Sequence, residues 1–148
     1  MNTLSQASEP PLPILTITPG SAFAILLKAR EFDVKVPQTD PDSGSNPTDD
    51  ESVDALEFGP SDDTRRELIS AIHDLNDDEQ ADLIALIFIG RGDFTLSEWN
   101  EARQEAGQIG RQHILRFVTE IPLVSDYLQE GLFQFKLSLQ DHLDSPQK

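Results

Sequence analysis

The residues with the most chemical potential in this sequence are carboxylates. In DPDSGSNPTDDE, residues 40–51, Asp40, Asp42, Thr48 and Glu51 fall at positions one, three, nine and twelve of a calcium-binding EF-hand loop. Oxygen ligands at that spacing suit a hard cation, so Ca²⁺ or Mg²⁺ is the cofactor this segment would take. The rest of the loop departs from the pattern: Ser45 replaces the turn glycine, Gly44 stands one place early, and Pro47 sits where an apolar side chain belongs. A solvated acidic loop is the better reading.

A second acidic spacing is GRGDFTLSE, where Gly92, Phe94 and Glu98 match the back half of the same loop. Its front positions would be Ile87, Ile89 and Arg91, none of which binds a hard cation, so calcium is excluded at this corner. Arg91, Gly92 and Asp93 read instead as a polar corner. Asp93 turns the chain and Arg91 pairs with a neighbouring carboxylate, and the same pair set in a cleft would make a functional site.

The three histidines, His73, His113 and His142, form no local metal motif. His113 falls on an apolar stripe at helical spacing, which predicts a hydrogen-bonded core histidine, with a general base as the functional alternative. No GxSxG elbow and no glycine-rich phosphate loop after a strand is present. Cysteine is absent, which removes disulfides, thiolate ligands and thiol nucleophiles.

The stretch that must position these groups runs over residues 76–99. Asn76 and Glu79 have the capping-box spacing, and Asp77, Asp78 and Glu79 place negative charge at the positive end of the helix dipole. Leu83, Ile84, Leu86, Ile87, Phe88 and Ile89 make the helix apolar around most of its circumference, so it should be the central one. Gly90 or Gly92 can close it in the left-handed conformation, and Thr95 with Glu98 caps the next helix.

Around this centre the pattern predicts an all-α fold. Thr18 and Pro19 open a helix to about Phe32; Ser61 opens another carrying Leu68, Ile69, Ile72 and Leu75. After the corner, Leu96, Trp99, Ala102, Ala106, Ile109, His113, Phe117 and Ile121 step along one face of a long helix. Gly107 and Gly110 interrupt it, either by bending it or by admitting a close neighbour. Pro122 starts a final helix with Leu128, Leu132, Phe135, Leu139 and Leu143, whose face is widened by Phe133 and Leu137 and serves core packing or a homodimer contact. The expected organisation is an extended arm at 1–17, one helical domain of about five helices at 18–143, and a tail at 144–148. Residues 36–63, with nine Asp or Glu and no Lys or Arg, form a long acidic loop in which Thr48 and Glu51 cap a short helix.

A net charge of −16 disfavours a nucleic-acid surface and favours a basic protein partner. The N-terminus lacks the features of a signal peptide, and the longest apolar run, residues 83–89, is far too short to span a bilayer. A cytoplasmic protein with no membrane contact is expected.

Four ordered blocks, KAREFDVK (28–35), TDPDSGSN (39–46), DEQADLIAL with GRGDFTLSEW (78–99) and IPLVSDYLQEGL (121–132), resemble a small bacterial family known only as a domain of unknown function. The resemblance spans residues 17–132 and implies a stand-alone bacterial protein, without an activity, cofactor or site residue to carry over. The residues favour a non-enzymatic acidic helical module for interaction or regulation, self-associating and bound to a protein partner. The alternative is a metal-dependent or small-molecule-binding enzyme using Asp40, Asp42, Thr48 and Glu51, with His113 and Arg91 brought near by folding.

Overall fold

A computed structural model describes residues 11–35 and 60–144. Six α-helices, and no strand, occur among them: α1 (Pro19–Lys35), α2 (Pro60–His73), α3 (Asp77–Arg91), α4 (Trp99–Glu120), α5 (Val124–Gln134) and α6 (Leu139–Asp144). A 3₁₀ turn, Leu96–Glu98, leads into α4. The fold is all-α, as the pattern predicts.

Local chemistry sets the ends of these helices. The Thr18 hydroxyl accepts from Ser21 N–H at 3.1 Å, with Pro19 at the first helical position, where its missing N–H costs nothing. At α3, Glu79 N–H donates to Asn76 Oδ1 and Asn76 N–H to Glu79 Oε1, both at 2.8 Å, so the capping box is complete. The other end closes on Gly92 (φ 89°, ψ 8°): Gly92 N–H donates to Ile89 O and Asp93 N–H to Phe88 O. This Schellman pair satisfies two terminal carbonyls and requires a residue that tolerates positive φ. Gly92→Val should therefore lower stability by on the order of 1 kcal/mol or more. Chemical denaturation would read it as a lower midpoint at unchanged slope.

The core is α3 wrapped by its neighbours. Every residue from Leu83 to Ile89 is buried, which is what an all-round apolar helix demands. α3 packs against α4 on one side and α5 on another, while α1 packs against α2 and α5. The α3–α5 crossing is a backbone contact. A Cβ on Gly90 would overlap the Tyr127 carbonyl and stand 2.9 Å from Gly131 N; one on Gly131 would overlap the Leu86 carbonyl and stand 3.3 Å from its Cα.

Two sequence expectations are corrected here. His113 is exposed; the apolar stripe of α4 passes through Trp99, Ala102 and Ala106, then resumes at Ile114 and Val118. The cause is Gly110, at φ 70° and ψ 176°, a conformation essentially confined to glycine, which bends α4 and turns its second half. Of the two roles offered, the bend is correct and falls at Gly110, while neither glycine admits a close neighbour, because nothing lies within 4 Å of a Cβ built on either.

The predicted final helix is two helices. α5 ends where Lys136 takes φ 67°, with Lys136 N–H donating to Phe133 O and Leu137 N–H to Leu132 O; Ser138 then opens α6 by accepting from Asp141 N–H at 3.0 Å. Leu128, Leu132 and Phe135 are buried in the core, and Phe133 stays 62% exposed.

Candidate functional site

The polar centre of the molecule forms around Asp82. It lies in the middle of α3, one place before the apolar run, and is fully buried. A lone carboxylate there must be hydrogen-bonded to be tolerated. Its Oδ2 accepts from the main-chain N–H groups of Thr16 and Ile17, the latter at 3.0 Å, and its Oδ1 accepts from Arg103 Nε at 2.7 Å. Arg103, on α4, also donates through Nη2 to Asp78 O at 3.0 Å. One carboxylate thus ties the segment before α1 to α3 and α4. Ile17 is 1% exposed, so the arm is docked at its base rather than extended into solvent.

Beyond that base, residues 11–14 lie over the start of α4. A cavity of about 730 Å³ separates them from Leu96, Ser97, Trp99, Asn100 and Arg103. A second, about 350 Å³, runs beside residues 15–19 to Phe135 and Leu137. Trp99, which lines the first, and Phe135, which lines the second, meet edge to face at 4.9 Å. Apolar walls with a few polar groups are the usual lining of a binding groove.

The corner residues come together as a structural joint. Arg91 donates from Nε and Nη2 to Asp93 Oδ2, each at 2.8 Å, and its guanidinium sits 5.9 Å and 5.8 Å from the Phe88 and Phe117 ring centroids. Glu98 accepts from Thr95 N–H at 2.9 Å and starts the 3₁₀ turn, while the Thr95 hydroxyl lies 3.0 Å from that of Ser97. Gly92 closes α3. These contacts orient α3 and α4 and leave Arg91 and Asp93 facing each other rather than a cleft.

The histidines occupy three unlike settings. His73 ends α2 and is exposed, His113 is exposed on α4, and His142 stacks on the buried Phe23 at 4.6 Å. Among the described residues no group of three or more His, Cys, Asp or Glu is placed to hold a metal ion. Asp40, Asp42, Thr48 and Glu51, and the short helix expected from Thr48 and Glu51, lie outside the described residues.

Sequence reasoning overlooked Asp82, Asp33 and the arginines that brace the helices. Arg111 donates to His73 O, Leu75 O and Asp77 Oδ1, which closes the turn between α2 and α3. Asp33 on α1 accepts from Ser125 N–H at 2.9 Å and so caps α5, whose own N-cap position, Leu123, has no suitable side chain. Arg30 donates to Gln129 and pairs with Asp126 at 3.6 Å. Only Asp82 left a trace in the sequence, as a charge inside the face of a helix read as buried.

No helix among the described residues is long and apolar enough to cross a membrane. No curated protein and no solved structure matches the chain. A family model described as Protein of unknown function (DUF3775) matches residues 65–137, from α2 through α5. The match leaves out the 28–35 and 39–46 blocks and keeps the two that build the α3 corner and α5. Asp82, Arg103 and the Gly90–Gly131 crossing all fall within the part of the chain that matches this uncharacterised family, DUF3775.

Proposed function

We propose that this protein is a non-catalytic interaction module of the bacterial cytoplasm that presents an acidic surface to a basic protein partner and self-associates through α5. The observation that carries the reading is where the bridging side chains end. Asp33, Asp82, Arg103 and Arg111 reach between elements, and each ends wholly or partly on main-chain groups of a neighbouring segment, which braces the helices. Such groups serve architecture. The surface charge then supplies the recognition, with a formal net charge of −16 to steer and hold a cationic partner. Phe133, exposed on α5 beside a cavity of about 510 Å³, supports the self-association.

Sedimentation velocity of the full chain, alone and with a Lys/Arg-rich peptide, tests both parts. The expected result is a species heavier than the monomer in the absence of peptide, and peptide binding that weakens steeply as salt rises past the concentration where the Debye length falls to about 8 Å. Binding indifferent to ionic strength would refute the electrostatic part, and a strict monomer would refute self-association.

A further inference from the structure

We infer that residues 11–17 are a strap, a segment latched at Asp82 that opens over Trp99, and that the groove it covers receives extended, proline-bearing peptide segments in general. The inference stands apart from the reading of the acidic surface. Three observations carry it.

The first is the mode of attachment. Asp82 takes two consecutive main-chain N–H groups of the strap, those of Thr16 and Ile17, and does so while held by Arg103. A carboxylate that binds main-chain N–H groups recognises an extended backbone whatever its side chains. Specificity is left to the Ile17 side chain, which is buried.

The second is the contrast along the strap. Ile17 at its latched end is 1% exposed, whereas Leu12 is 38% and Ile14 89% exposed, and the larger cavity is lined by residues 11–14 and the body. Segments whose apolar side chains are exposed in this way open first. The latched end resists until its hydrogen bonds break.

The third is what lies beneath. Leu96, Trp99, Phe135 and Leu137 line the two cavities on the body side, with Asn100 and Arg103 as the polar edge. Pro11 and Pro13 predispose the occupant to an extended backbone, so little conformational entropy is lost on docking. An extended segment with proline near its start, an aliphatic residue to bury and two free N–H groups matches the groove at each point. The strap is one such segment, held there in cis.

Trp99 is the single tryptophan of the chain, is 4% exposed and lines the same cavity as residues 11–14, so its fluorescence reports on access to that cavity. In the full-length protein, Thr16→Pro deletes one latch donor without touching Asp82, and Ile17→Ala removes the buried anchor. With the helical circular dichroism unchanged, both variants should show a severalfold increase in acrylamide quenching of Trp99. A synthetic peptide of residues 11–19 added to either should return the quenching toward wild type. If quenching is unchanged in both variants, the strap does not open and the inference fails. If quenching rises and saturating peptide does not lower it, the groove accepts the segment only in cis and the recognition part fails. Should Thr16→Pro lose its helical signal, the milder Ile17→Ala decides between these outcomes.

Discussion

Gly131→Ala is expected to melt about 10 °C below the wild-type protein, corresponding to roughly 3 kcal/mol, and Gly90→Ala to do likewise. The expectation rests on what the added methyl would meet. At both positions it would overlap a main-chain carbonyl of the facing helix, Leu86 for Gly131 and Tyr127 for Gly90. A flexible side chain could swing aside, but a helix backbone cannot. Relief requires α3 and α5 to separate, and α3 is the most buried element, so separation opens the packing around Leu83, Leu86, Leu128 and Leu132 together. Gly107→Ala is the control. It is an exposed helical glycine with nothing within 4 Å of a Cβ, and alanine there should be neutral or stabilising by up to about 1 kcal/mol. Thermal unfolding of the three variants decides the matter: equal effects at all three positions would mean that helix propensity, not the crossing, governs these glycines.

Asp82→Ala should destabilise by on the order of 3 kcal/mol, because it strands three donors at once. Thr16 N–H, Ile17 N–H and Arg103 Nε all lose the acceptor they share. Part of that loss is recoverable, since the Arg103 side chain is 31% exposed and can turn to water or to Asp78. Ile17 N–H, on a residue 1% exposed, has no such exit while the arm stays docked. Asp82→Asn keeps one acceptor oxygen and should cost about half as much. Denaturant midpoints of the two variants test this. An alanine variant within about 0.5 kcal/mol of wild type would mean that the buried carboxylate contributes no more than an ordinary surface substitution.

How far the sequence discloses the fold depends on whether a feature is local. The start of α3 at Asn76 and its end at Gly92 are each set by residues within one turn, and both were readable. Non-local features were not. Asp33 caps α5 across 92 residues of sequence, and Asp82 holds an arm 65 and 66 residues away; no periodicity encodes such partners. His113 shows a different failure. Its spacing from Trp99 and Ala106 is correct for a continuous helix, and it faces solvent because the helix is not continuous. Gly110 was noticed, but a glycine alone does not say whether it bends a helix or admits a neighbour. The close approach lies instead at Gly90 and Gly131, which sequence spacing did not connect.

That bend also records how α4 relates to an ideal helix. Ile114 lies eight positions after Ala106, both buried, and eight steps of about 100° overshoot a whole number of turns by roughly 80°. Gly110, at φ 70° and ψ 176°, breaks the helix between them, so the two halves need not keep one phase. The long helix therefore carries a joint in its middle. One residue gained or lost between Gly107 and His113 meets a backbone already out of phase, whereas the same change in α3 would rotate an entire core face away from its partners.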